Sequence, residues 1–169
     1  MSNGTNPKVV VLMGGPSAER DVSLSSGHEC AAALRVSGCD VIEVEAGETA
    51  GPELCARLAE IKPDVVFNAL HGRWGEDGCV QGMLEWLRIP YTHSGVLASA
   101  LTMDKQRTKD VYKAHDLPFM HSVIATAAQV KADHVLPPPY VVKPFNEGSS
   151  VGIYIVDETA NGPPKLADD

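Results

Sequence analysis

Val9-Val10-Val11-Leu12-Met13-Gly14-Gly15-Pro16 is the stretch that decides the fold. Five consecutive apolar residues, stopped by Gly-Gly-Pro, read as a strand hidden on both faces that empties into a turn. Such a strand belongs to a parallel sheet covered by helices. Downstream, Leu24, Gly27, Ala31 and Leu34 follow helical spacing behind Ser23, which is placed to cap the helix, and Gly38 is placed to end it. Residues 40–45 read as a second strand. Pro52 opens a second helix carrying Leu54, Leu58 and Ile61 on one face with Pro63 behind it, and residues 65–70 form a third strand. Val80, Met83, Leu84 and Leu87 then give a helix over 78–87, followed by a short strand at 89–91.

This alternation implies an α/β fold with a doubly wound parallel sheet, its strands 9–13, 40–45 and 65–70 lying as neighbours. Residues 95–115 read as two helices meeting near Met103-Asp104, because Leu97, Ala100 and Leu101 form one stripe and Val111, Tyr112 and His115 another. The domain junction falls there, giving a first domain over 1–98 and a second over 99–169. In the second, 119–124 and 140–143 read as strands, and a Gly/Ser loop at 147–150 leads to a strand at 152–156. Strand, glycine loop, strand is a hairpin arrangement, unlike the strand-to-helix setting of a P-loop. Residues 157–169 show no pattern that closes a domain, so the second domain reads as unfinished.

Hydrophobic residues make up 44% of the 169 and charged residues 21%, the composition of an ordinary globular chain. A formal net charge of -8 argues against a general nucleic-acid binder. No apolar run approaches the ~20 residues of a membrane span and the start is polar, which points to the cytoplasm. Cys30, Cys39, Cys55 and Cys79 contain no Cys-x-x-Cys pair, so free buried thiols are expected rather than zinc or disulfides.

Three constellations carry chemistry. Gly14-Gly15-Pro16-Ser17-Ala18-Glu19-Arg20-Asp21-Val22-Ser23 lies at the carboxyl end of the first strand, where open parallel sheets bind ligands. A carboxylate at Glu19 can hold the ammonium of an amino acid through a charge-assisted contact. The alternative is a Glu19–Arg20 pair beside a helix start. The glycines do not spell Gly-x-Gly-x-x-Gly, and no Gly-Lys-Ser or Gly-Lys-Thr occurs.

Asn68-Ala69-Leu70-His71-Gly72-Arg73-Trp74-Gly75-Glu76-Asp77-Gly78 follows the third strand and shares the same rim, so Glu19 and His71 are expected to face one crevice. His71 can donate to a substrate carboxylate; its alternative is a turn histidine satisfied by backbone carbonyls. Glu76 and Asp77 are expected to brace the loop and the next helix rather than to bind metal. The third constellation joins Lys105 and Lys143, point charges suited to phosphate oxygens, with Glu147-Gly148-Ser149-Ser150-Val151-Gly152, whose backbone N–H groups can cover phosphates.

Taken together, Gly-Gly-x-Ser-x-Glu-Arg-x-Val-Ser-Leu-x-Ser-Gly at 14–27, His-Gly-x-x-Gly-Glu-Asp-Gly at 71–78, Ser99-Ala100-Leu101-Thr102-Met103-Asp104-Lys105 and Lys-Pro-x-x-Glu-Gly-Ser-Ser-x-Gly at 143–152 resemble the D-alanine-D-alanine ligases of the ATP-grasp superfamily. The match covers residues 8–156. The resemblance implies a pre-ATP-grasp, Rossmann-like N-terminal domain followed by the start of an α+β ATP-grasp domain. It implies that Glu19 receives the amino group of the first D-alanine, that His71 lies near its carboxylate, and that Ser149 orients the substrate around Glu19.

Lys105, Lys143 and the loop Glu147, Gly148, Ser149, Ser150, Val151 and Gly152 would hold ATP. In the family, ATP phosphorylates the first D-alanine and the amine of the second attacks the acyl phosphate, for peptidoglycan precursor synthesis, with magnesium or manganese as cofactor and a homodimer as the assembly. No metal ligands are found in this chain, so it reads as an N-terminal part not expected to turn over alone. A D-alanine-D-lactate variant, another ATP-grasp ligase, or a non-catalytic ligand-binding or pairing module derived from a ligase are the competing readings.

Overall fold

The computed structural model describes residues 6–47, 51–145 and 152–166. Strand β1 (Lys8–Gly14) is central, paired in parallel with β2 (Asp40–Ala46) on one side and β3 (Val65–Asn68) on the other. In the register, Val10 lies opposite Ile42 and Val66, and Leu12 opposite Val44 and Asn68. Successive residues of β1 point to opposite faces, which sorts the core into two layers. Val10 and Leu12 pack with Leu54, Leu58, Val80 and Leu84 from helices α2 (Pro52–Ile61) and α3 (Cys79–Trp86). Val9, Val11 and Met13 pack with Ala31, Leu24 and Leu34 of helix α1 (Arg20–Val36). Helices on both faces make the sheet doubly wound, as the sequence implies. Gly27 is part of this fit, because a Cβ there would come within 2.6 Å of Met13 Cβ.

Several sequence expectations are corrected. Ser23 does not cap α1: Glu19 holds the N-cap position without a side-chain bond, and the buried Ser23 hydroxyl accepts from Gly14 N at 2.8 Å and donates to Ala69 O at 2.6 Å. It ties the ends of two strands. The third strand stops at Asn68 instead of Leu70, because the Asn68 side chain accepts from Leu70 N and donates to Gly75 O, turning the chain. Residues 89–91 make only a single parallel bridge, Tyr91 to Val66. Finally, 119–124 forms no strand: Phe119, Met120, Val123 and Ile124 are exposed with no pairing partner among the described residues, so their β propensity goes unused.

Helices α4 (Val96–Met103) and α5 (Lys105–Ala114) meet at Asp104, whose carboxylate accepts from Gln106 N and Arg107 N as a cap. The expected boundary between 98 and 99 lies inside α4. A short helix α6 (Ala127–Ala132) starts with a capping box between Thr126 and Gln129. Strands β4 (Tyr140–Val142) and β5 (Tyr154–Val156) pair antiparallel, the expected hairpin. The four cysteines are free as expected, but none is buried: Cys79 is exposed and the others are half-buried. No helix among the described residues is long and apolar enough to cross a membrane.

Candidate functional site

Two loops meet at the carboxyl rim of the sheet. The first follows β1, where Gly15 N donates to Ala46 O at 2.8 Å and turns the chain toward α1. Ser17 then joins the loops, its hydroxyl donating to His71 O at 2.8 Å while accepting from Glu19 N at 3.2 Å. In the second loop, Glu76 accepts from Gly72 N at 2.8 Å, and Asp77 accepts from Trp74 N at 3.0 Å and Cys79 N at 3.1 Å. Both acids brace the loop and the start of α3, in line with the sequence reading. Asn68 and Gln81 anchor the loop from below, each donating to Gly75 O, at 2.9 and 2.8 Å.

Glu19 is 4% exposed. Its carboxylate lies against the α-carbon of Gly72, and its Oε1 has no hydrogen-bond partner among the described residues. The simple pairing with Arg20 does not form. Arg20 turns the other way, pairing with Glu45 and donating to Gly15 O and Ala46 O, both at 3.3 Å. A buried carboxylate oxygen without a donor is costly, and a primary ammonium, with three donors and a positive charge, would satisfy it.

His71 is half-buried, with Nε2 at 3.0 Å from Ser26 Oγ. The two loops put Glu19 and His71 on the same rim of the sheet, where Ser17 links the Glu19 N–H to the His71 carbonyl. Beside His71 an open cleft of about 460 Å³ is lined by His71, Ser26, Asn68, Gln81, His93 and Thr102, among others, so it runs from the sheet rim to α4; Glu19 is not among its lining residues. His93 is fixed there by a contact from Nε2 to Asn68 O at 3.0 Å and by an edge-on packing with Phe67.

The third constellation is assembled in part. Lys105 opens α5, where its backbone N donates to Phe145 O at 3.2 Å and its Nζ donates to the same oxygen at 3.4 Å. The start of α5 is thereby fastened two residues beyond Lys143, which is exposed just past the end of β4. Gly152 packs against Pro144, leaving 3.1 Å between a notional Cβ and Pro144 Cγ. Glu147, Gly148, Ser149, Ser150 and Val151 lie outside the described residues. Among those described, no group of three or more His, Cys, Asp or Glu is placed to hold a metal ion.

Sequence reasoning gave no role to Ser17, Ser26, Asn68 or Gln81. The two serines stand inside the first quoted motif, but spacing does not say which partner a hydroxyl meets. Gln81 had a readable signal, since it is a polar residue beside Val80 on the face that α3 buries.

A family model described as D-ala D-ala ligase N-terminus matches residues 46–94. A D-alanine-D-alanine ligase of Ruegeria pomeroyi is 69% identical over 169 residues, covering 100% of this chain and 54% of that protein. One from Jannaschia sp. is 71% identical over 163 residues, covering 96% and 52%. The chain therefore spans about half the length of the curated relatives it matches. Among solved structures, the D-alanine-D-alanine ligase of Bacillus anthracis superposes with a TM-score of 0.67 at 31% identity, covering 89% of this chain and 49% of that one. The Helicobacter pylori ligase gives 0.69 at 24% identity, covering 91% and 57%, a likeness of fold.

Proposed function

We propose that the chain is the N-terminal part of a D-alanine-D-alanine ligase, the family whose N-terminal model matches residues 46–94, and that it carries the pocket for the first D-alanine and part of the ATP site of such an enzyme. The observation that carries this reading is the Glu19 carboxylate: nearly fully buried, without a donor to Oε1 among the described residues, and closed in by Gly72 of the second loop. Glu19 takes the ammonium of D-alanine, and His71 stands close to the carboxylate that is to be activated. Holding both ends of so small a substrate aligns its carboxylate for attack, and such alignment supplies much of the barrier reduction in phosphoryl transfer.

In the whole enzyme a carboxylate oxygen takes the γ-phosphoryl group of ATP and ADP departs. The amine of a second D-alanine then forms the amide bond at the carbonyl carbon and phosphate leaves. Lys105 and Lys143 serve as positive charges for the phosphates, with the loop of Glu147, Gly148, Ser149, Ser150, Val151 and Gly152 covering them and Ser149 helping to orient the substrate. The first domain of this reading ends near residue 98. Work in the cytoplasm, on peptidoglycan precursors and as a homodimer, belongs to the same proposal. A divalent cation would offset the charge developing on the phosphates.

Calorimetric titration with D-alanine and with propionate, which lacks the amine, tests this reading. D-alanine is expected to bind and propionate not, and Glu19→Gln is expected to weaken D-alanine by about 2–5 kcal/mol, the usual effect of removing a buried charge partner. Equal binding of the two ligands, or a Glu19→Gln variant that binds D-alanine unchanged, refutes it.

A further inference from the structure

We infer that Ser26 is a positioning residue that fixes the tautomer of His71. Ser26 lies on α1, with its hydroxyl 2.9 Å from Val22 O and 3.0 Å from His71 Nε2; a third neighbour, Ser23 O, is longer at 3.4 Å. A hydroxyl has one proton to give and lone pairs to accept with. When the proton goes to Val22 O, the short contact to His71 is a hydrogen bond only if Nε2 carries the hydrogen and Ser26 Oγ accepts it. The reverse arrangement, Ser26 donating to a bare Nε2, gives up the bond to Val22 O. It also moves the ring hydrogen to Nδ1, for which no bond is seen among the described residues. Two hydrogen bonds are made in the first arrangement and one in the second, so the first prevails.

The backbone of His71 is held as well, by Ser17 Oγ on its carbonyl oxygen, so both the ring and the chain that carries it are fixed from the first loop and α1. In this tautomer a neutral His71 keeps a lone pair at Nδ1. The consequence, which rests on the reading of His71 as the neighbour of the substrate carboxylate, is that His71 donates from Nδ1 only after taking up a second proton. The charged groups around it are Glu19, packed on Gly72, and Glu76, bound to Gly72 N, with His93 in the same cleft.

Nitrogen-15 labelling of the histidines in the 169-residue chain, with long-range proton–nitrogen correlation spectra at about pH 8.5, above the ordinary histidine value of ~6.5, reads the tautomer directly. His71→Gln identifies the His71 signals among the six histidines. The expected result is Nε2 at the protonated shift and Nδ1 at the unprotonated one. In Ser26→Ala both shifts are expected to move toward a tautomer average, and in Ser26→Thr, which keeps a hydroxyl, to return. A protonated Nδ1 in the unaltered chain overturns the proposal without any variant, as does a Ser26→Ala spectrum identical to the parent. No ligand is present, so this failure is separate from failure of the D-alanine reading: absent D-alanine binding with the tautomer as expected removes only the latter.

Discussion

The α-carbon of Gly72 rests on the carboxylate of Glu19, and a side chain at Gly72 would overlap Oε2. Two motifs more than fifty positions apart in the chain thereby touch. The glycine of the second loop leaves the space that the glutamate of the first one fills.

Gly72→Ala tests that relationship. The residue has φ +67, so a side chain there meets backbone strain of about 1–2 kcal/mol as well as the carboxylate. The variant is expected to fold with a lower urea midpoint and to bind D-alanine at least about tenfold more weakly, about 1.4 kcal/mol, because Glu19 must move. Calorimetry alongside urea unfolding checks both, and unchanged D-alanine affinity would show that Glu19 is not held in place by Gly72.

Glu19→Gln separates stability from binding. A carboxylate that is 4% exposed, with one oxygen lacking a donor among the described residues, is a cost to the fold, and a neutral amide of similar shape lessens it. The urea midpoint is expected to stay level or rise while D-alanine binding falls. A loss of more than about 1 kcal/mol of stability would mean that the charge has a structural partner after all.

The β1-α1-β2-α2-β3 order was legible because each element is written locally, in apolar period and in Gly/Pro punctuation such as Gly14-Gly15-Pro16 and Pro52. Ser23 was misread for the opposite reason: a serine ahead of an apolar helix face looks like a cap, while its partners, Gly14 and Ala69, are set by the packing of α1 across the sheet. Residues 119–124 have strand-like side chains, but a strand needs a neighbour that propensity cannot supply. Helix α6 was written in Thr126-Ala127-Ala128-Gln129, a readable capping box, and went unread. In the site, Glu19 and His71 were legible as chemistry, whereas Ser17 and Ser26 matter through contacts that exist only once β1 and β3 lie side by side.

Ser23→Ala is expected to be destabilising out of proportion to its size. Ser23 is fully buried, and its loss leaves Gly14 N and Ala69 O without their bonds at 2.8 and 2.6 Å. An orphaned buried polar group costs about 1–3 kcal/mol. Urea unfolding of the variant decides it; a change below about 0.5 kcal/mol, the scatter of surface substitutions, would show that other donors or water replace the hydroxyl.

Stability is expected to carry a small acid-sensitive contribution from Glu43. Hydrogen bonds from Arg35 and then His28 hold its carboxyl below the usual range, with contacts of 2.7 and 2.6 Å linking α1 to β2. A folded value below the unfolded one stabilises above the unfolded value, ordinarily ~4.3, and the gain is lost as the pH falls through the folded value. Glu43→Gln is therefore expected to be less stable than the parent at neutral pH, by no more than about 1 kcal/mol for a pair this near the surface. The gap closes in acid. A gap that stays constant, or widens, as urea unfolding is repeated at lower pH would assign the effect to packing.

The hairpin of β4 and β5 leads to the last expectation. Val141 and Ile155 stand opposite each other in its register and are 52% and 79% exposed, and each strand has an edge with no partner among the described residues. A two-stranded sheet is at best marginally stable in water, and unpaired edges invite pairing with another chain. Nearby in sequence, Met120, Val123 and Ile124 add further exposed apolar surface. The 169-residue chain by itself is therefore expected to associate through this face as its concentration rises. Sedimentation at increasing concentration reads the mass, and a double variant, Val141→Lys with Ile155→Lys, places charges on the same face and on paired positions. The mass is expected to climb for the parent and stay at that of one chain for the variant. If the parent remains a single chain throughout, the exposed hairpin face does not drive association; if the variant associates as strongly as the parent, the contact lies elsewhere.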